Sequence, residues 1–242
     1  MAKDSNWYEI DTVEDIISPA LVVYPDRIEA NIKMMIQIAG GTESLRPHIK
    51  THKIVEIINL QLKHGITKFK CATIAEAELL AKCDAPDILL AMQPIGINIH
   101  RFFELVGQYP NSSFSTIVDN EEIILKMDTL ASEKKLQVSL WLDINNGMNR
   151  TGIKPHNEAV LLYQKMALSD NIIAQGLHVY DGHIHESDFY LRQEICDKDF
   201  DLVLTLKSKI ELLGIKIKTI VAGGTPTFPI HVNRDNIEVC PG

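Results

Sequence analysis

Apolar and β-branched positions along this chain gather into short runs, and many of the stretches between them repeat apolar residues at helical spacing. Eight runs read as strands: 45–51, 68–74, 87–93, 113–119, 137–144, 173–180, 217–225 and 237–242. Amphipathic stretches over 75–82, 121–132, 157–169 and 188–213 predict helices. Thr73 with Glu76 and Asp119 with Glu122 supply start signals, an oxygen-bearing side chain followed three residues later by a carboxylate. Eight strands alternating with helices over roughly 200 residues predict a parallel (β/α)8 TIM barrel, since open sheets usually hold fewer strands.

In such a barrel the chemistry gathers at the C-terminal strand ends. The chemically informative residues fall there: 48–52 on the first run, 143–150 after the fifth, 180–185 after the sixth and 223–227 after the seventh. Two features stand apart. Residues 19–24 read as a further strand ahead of the first barrel helix, and no eighth helix pattern follows the last run. The expected division is an N-terminal segment, 1–26, whose strand pairs with a sheet outside this chain, and a barrel over 27–242.

Composition narrows the partners. With 242 residues, 45% of them hydrophobic, the chain can bury a sizeable core. A net charge of −8 and the lack of a long basic run argue against a nucleic-acid partner and favour small molecules. Four widely spaced cysteines without a CxxC pair indicate neither a disulfide framework nor a zinc ribbon. The N-terminus carries Lys3, Asp4, Glu9 and Asp11 with no apolar stretch of signal-peptide length. No segment approaches the ~20 apolar residues that span a bilayer, so the expected setting is a reducing cytoplasm with no membrane partner.

The densest chemistry lies in Arg46-Pro47-His48-Ile49-Lys50-Thr51-His52-Lys53. As a strand, this run projects His48, Lys50 and His52 from one face and Ile49, Thr51 and Lys53 from the other. A lysine withdrawn from water has a lowered pKa and becomes a nucleophile suited to a Schiff base with a carbonyl. The alternative is a solvated cationic loop, or core histidines bonded to backbone carbonyls.

Three further stretches carry paired readings. Gly223-Gly224-Thr225-Pro226-Thr227 lets backbone N–H groups approach an anion such as phosphate, and it also suits an ordinary tight turn. Arg150, in Asp143-Ile-Asn-Asn-Gly-Met-Asn-Arg150, is placed to bond a phenolate oxygen or a carboxylate, or to sit on the surface of a polar loop. His178-Val-Tyr180-Asp-Gly182-His183-Ile-His185 offers two imidazoles, His183 and His185, and a phenol for acid–base work. The same His-x-His pair suits a metal, or one of the two caps a turn.

These motifs, together with Gly147-Met148-Asn149-Arg150-Thr151-Gly152, resemble the D-threonine aldolase and D-serine dehydratase group. That group belongs to the alanine-racemase-like, fold type III pyridoxal phosphate enzymes, and the resemblance runs in order from about Ser18 to Gly242. It implies pyridoxal 5'-phosphate held as a Schiff base on Lys50, with His48 nearby, Arg150 at the ring oxygen and Tyr180 beside the ring. It further implies a phosphate cradle of Gly223, Gly224, Thr225 and Gly242, and it leaves His183 and His185 both as acid–base candidates.

The implied activity is that of a lyase on β-hydroxy D-amino acids, closest to the aldolase branch, with dehydratase and racemase chemistry as alternatives. Such relatives continue into a C-terminal β-domain that supplies metal ligands and part of the site across a homodimer. A divalent metal is therefore implied by the resemblance, but no ligands for it are assigned in this chain. Two other readings stand beside this one. A non-catalytic pyridoxal phosphate carrier would lack the Pro-His-x-Lys-Thr-His signature, and a metal hydrolase built on His183 and His185 would leave Lys50 unexplained.

Overall fold

Seven parallel strands lie side by side in chain order in a curled sheet: β1 (Lys68–Cys71), β2 (Asp87–Leu90), β3 (Ser113–Val118), β4 (Val138–Ile144), β5 (Ile172–Val179), β6 (Thr219–Ala222) and β7 (Ile237–Val239). The computed structural model describes residues 6–242. Helices α1 (Pro25–Ala39) and α2 (Val55–Lys63) precede the sheet. The rest follow the strands in turn: α3 (Ile74–Lys82), α4 (Ile97–Gln108), α5 (Glu121–Lys134), α6 (Asn157–Leu168), α7 (Phe189–Glu211) and the short α8 (Phe228–His231).

Side chains alternate across each strand, and this divides the interior in two. Phe69, Cys71, Ile88, Leu90, Leu142 and Leu177 join the main apolar core with the helices. On the opposite, inner face Leu89, Ile117, Trp141, Val221 and Cys240 form a separate cluster. Lys70, Asp143 and His178 each lie between two residues of the main core, so they turn to that inner face.

The run 45–51 differs from its expectation. Only Leu45 and His48 make bridges, to Val239 and Lys70 respectively, and the chain then enters a 3-10 turn over Ile49–Thr51. Even so, this short segment touches both edge strands: Arg46 N–H donates to Val239 O at 2.8 Å, and Lys70 N–H to Pro47 O at 2.9 Å. The turn has a local cause, because His48 Nδ1 accepts the Lys50 N–H at 3.2 Å and the Thr51 hydroxyl donates to His48 O at 3.2 Å. Alternation therefore stops at His48, and Lys50 and His52 part company.

Below the cavity described next, a polar plug ties the same segment to three strands. Arg46, 1% exposed, donates from Nε to Glu238 at 2.7 Å and from both Nη atoms to Asp87 at 2.7 and 3.0 Å. Lys68 completes the plug at 2.6 Å from Glu238. Burial works against the Arg46 charge, and the Asp87 and Glu238 carboxylates outweigh it and raise its pKa.

Other features are local. Residues 20–24 lie outside every strand and helix, and α1 begins at Pro25. Thr73 caps α3, accepting the Glu76 N–H at 3.1 Å, while Glu76 reaches back to Ala72 N–H at 2.7 Å. At α5 the cap is Asn120, which accepts from Ile123 N–H at 3.0 Å. Asp119 is engaged elsewhere, by Gln93 and the Gly152 N–H, both at 3.0 Å. Among the described residues no helix is long and apolar enough to cross a membrane.

Candidate active site

A cavity of about 540 Å³ opens at the C-terminal ends of the strands, lined among others by His48, Lys50, Asp143, Arg150, His178 and Tyr180. Tyr180 is its centre. Its ring lies over Gly182 and Gly224, where added Cβ atoms would come within 2.3 and 3.2 Å of ring atoms, so glycine permits this approach. Three basic side chains surround the ring: Arg150 Cζ at 4.7 Å, Lys50 Nζ at 5.5 Å and Lys70 Nζ at 5.6 Å from the centroid.

Lys50 sits at the accessible rim of the cavity, held in the 3-10 turn by His48. Partial burial, then the Lys70 and Arg150 charges, lower its pKa, while Glu76 and Cys240 act the other way. His48 is 8% exposed, and burial with four cationic or imidazole neighbours pushes its pKa down to about 2. It is therefore a neutral ring at all ordinary pH.

Arg150 projects from a loop pinned at several points. Asn145 Oδ1 accepts from Gly147 N–H at 3.1 Å and Asn149 N–H at 3.0 Å, and Gly152 N–H donates to Asp119 at 3.0 Å. The bend at 223–227 is braced from behind. Thr227 Oγ1 accepts the Gly224 N–H at 3.1 Å and donates to Asp181 at 2.8 Å, while the other Asp181 oxygen lies 2.8 Å from His231 Nε2. Thr225 Oγ1 and Gly242 are joined by two bonds of 3.0 Å, which brings both ends of the expected phosphate cradle together.

The sequence reading missed the Asp143–His178 pair. His178 Nδ1 lies 2.6 Å from Asp143 Oδ1, and both side chains are buried. Burial and then the Lys70 charge lower the His178 pKa; for Asp143, burial works upward but the bond to His178 prevails and lowers it. The carboxylate can only accept, so Nδ1 carries the proton and Nε2 keeps a bare lone pair. That Nε2 is buried without a partner, on a residue that lines the cavity. The available signal was the pairing of two polar residues near the ends of successive predicted strands.

His183 and His185 are placed outside the cavity lining. His183 Nε2 bonds Asp199 of α7 at 3.0 Å and packs on Gly147, bracing the Arg150 loop. His185 is exposed, its Nδ1 2.8 Å from His183 O. His52 borders a neighbouring groove instead.

Asp181, Cys196 and His231 bring donor atoms within 4.8 Å of one another, the spacing of a metal site. The Arg234 guanidinium contacts both His231 and Cys196, so a cation there would meet its positive charge. The residues around Tyr180, by contrast, fit pyridoxal phosphate: an amine for its aldehyde, cations for its anionic oxygens, a glycine bend and an unpaired imidazole nitrogen.

Comparison with known proteins agrees with this geometry. The profile of the alanine racemase N-terminal domain family matches residues 23–240. A D-threonine aldolase from Arthrobacter sp. is 25% identical over 89% of the chain, and a D-threo-3-hydroxyaspartate dehydratase from Delftia sp. (strain HT23) is 24% identical over 90%. The chain spans 57% of the length of each. The crystal structure of D-threonine aldolase from Filomicrobium marinum superposes with a TM-score of 0.86 at 25% identity, over 95% of this chain and 63% of that one.

Proposed function

Because the chain belongs to the alanine racemase N-terminal domain family, we infer that it is the barrel of a pyridoxal-phosphate-dependent lyase acting on β-hydroxy D-amino acids, of the D-threonine aldolase kind. The curled sheet is read as the family's (β/α)8 barrel, with 45–48 as the stave between β7 and β1. The single observation that carries the reading is the convergence of the Lys50 amine and the Arg150 guanidinium on the Tyr180 ring, itself packed on the Gly224 bend.

Pyridoxal phosphate, when bound, supplies an aldehyde for amines and a ring that withdraws electrons from the substrate Cα. Lys50 would hold it covalently, Arg150 would face its ring oxygen, Tyr180 would pack beside the ring, and Gly223, Gly224, Thr225 and Gly242 would hold its phosphate. His48 stays neutral beside Lys50 and withholds a competing positive charge. In a retro-aldol cleavage the β-hydroxyl gives up its proton while the Cα–Cβ bond breaks to release an aldehyde, and Cα then takes up a proton to give glycine. The neutral His178, with Nε2 bare and Nδ1–H anchored by Asp143, is the group in the cavity suited to accept a proton. His183 keeps a supporting role through the Arg150 loop, and His185 is left without one.

Segment 19–24, where Leu21 is 75% exposed, is read as the strand that the family's β-domain pairs with. The metal and the homodimer go with that domain. Incubating the chain with pyridoxal phosphate should give a visible absorption band, lost on borohydride treatment, with the label mapped to the Lys50 peptide. Aldehyde from D-threonine then marks the aldolase; keto acid from D-serine, or racemisation without cleavage, would redirect the assignment.

A further inference from the structure

A second lysine, Lys70, faces the same cavity and has no part in the cofactor or proton roles assigned to Lys50, Arg150 and His178. Lys70 lies between Phe69 and Cys71 on β1; both neighbours pack in the main core, so Lys70 turns inward, where it is 3% exposed. Its Nζ stands 5.6 Å from the Tyr180 centroid, against 5.5 Å for Lys50. Its backbone bridges His48, two residues before Lys50. Lys53 and Lys68, like Arg46, each hold a carboxylate within ion-pair distance, whereas among the described residues Lys70 holds none. A buried amine without a carboxylate, aimed into a cavity, is costly unless it serves something there.

We propose that Lys70 is a positioning residue for the Lys50 proton: its buried side chain, on the same Tyr180 ring, disfavours a second ammonium group there and so favours the free amine of Lys50, the form that can attack an aldehyde. The titratable and charged groups around Lys50 support the assignment. Lys70 faces it from β1, Arg150 from the loop after β4, Glu76 from α3 and Cys240 from beyond β7, with the neutral His48 on its own turn. After burial itself, Lys70 is the leading charge that depresses Lys50, His48 and His178 alike. Arg150 is exposed, and water and salt screen it; Lys70 is screened far less. Glu76 would oppose the effect, but one of its oxygens is committed to the Ala72 N–H and the other faces Lys53 at 3.8 Å.

The inference rests on the cofactor reading for its purpose, yet its test does not need the cofactor. The cofactor-free chain is labelled competitively with acetic anhydride from neutral to alkaline pH, and acetylation of the Lys50 peptide is read by mass spectrometry against the exposed Lys33. In the unaltered chain Lys50 should titrate below the ordinary lysine value of about 10.4. In Lys70→Met the Lys50 midpoint should rise by ~1 pH unit, a tenfold loss of free amine at neutral pH. Lys70→Arg, which keeps the charge, should stay near the starting midpoint.

Lys70→Gln serves as the uncharged variant if Met disturbs the circular dichroism spectrum. An unmoved midpoint in the uncharged variants would overturn the proposal. An equal rise in Lys70→Arg would also overturn it, by assigning the effect to packing. If the midpoints move as expected but pyridoxal phosphate gives no borohydride-sensitive band, the cofactor reading fails and the role of Lys70 stands.

Discussion

His178 Nδ1 and Asp143 Oδ1 lie 2.6 Å apart because the two residues are register partners on β5 and β4. The pair fixes the imidazole tautomer, so Nε2 presents a lone pair inside the cavity. Under the lyase reading, His178→Ala should lower the rate of aldehyde release from D-threonine on the order of 10²-fold or more, the usual scale for a positioned base. Asp143→Asn should lower it too while leaving the borohydride-trapped label on Lys50. Unchanged turnover in His178→Ala would remove the histidine from the proton path.

Stability should fall with acid from the same groups. His48 and His178 have depressed pKa values in the fold, so below about pH 6.5, their ordinary value, the unfolded chain binds protons that the folded chain does not. Their contribution is complete above that pH and is lost as pH falls toward the folded values. The slope is about 1.4 kcal/mol per pH unit for each histidine once well below the ordinary value. Urea midpoints across this range should decline steadily, and His48→Gln combined with His178→Gln should flatten the curve.

Arg46 should be the most sensitive position of the polar plug. Arg46→Met leaves Asp87 and part of Glu238 without their shared cation, and removing one partner of a buried pair costs ~3–5 kcal/mol. The loss should appear as a large drop in the urea midpoint. A drop of under ~1 kcal/mol, the range of exposed pairs, would show that the network contributes little.

Asp181 braces the glycine bend through Thr227 and His231. Asp181→Asn weakens charge-assisted bonds worth ~1.5–3 kcal/mol each, so affinity for pyridoxal phosphate should fall by ~10-fold or more. Pyridoxal, which lacks the phosphate, should bind the variant and the parent alike. Equal losses for both would place the effect away from the phosphate.

Lys50→Ala should abolish the visible band and the trapped label together. A label that moves to Lys70 in this variant would show that both amines reach the aldehyde.

Much of this was legible in the order of residues. The eight runs located the seven strands to within a few positions, because burial on both faces of a parallel strand leaves a local apolar signature. The Thr73 and Glu76 box and the amphipathic helices were likewise local. Of the residues expected at the strand ends, Lys50, Arg150, Tyr180 and the bend at 223–225 line one cavity, while His183 and His185 lie outside its lining. What the chain's order could not supply was register and competition between contacts. Asp143 meets His178, and Lys70 meets the cavity, only because strands distant in sequence align to a particular residue. The 3-10 turn at Lys50 arises because one histidine side chain outbids the strand ladder for a backbone N–H. Asp119 loses the cap of α5 to Asn120 through two partners elsewhere in sequence. Periodicity records which faces are buried; which polar atoms meet there is settled by the curl of the sheet.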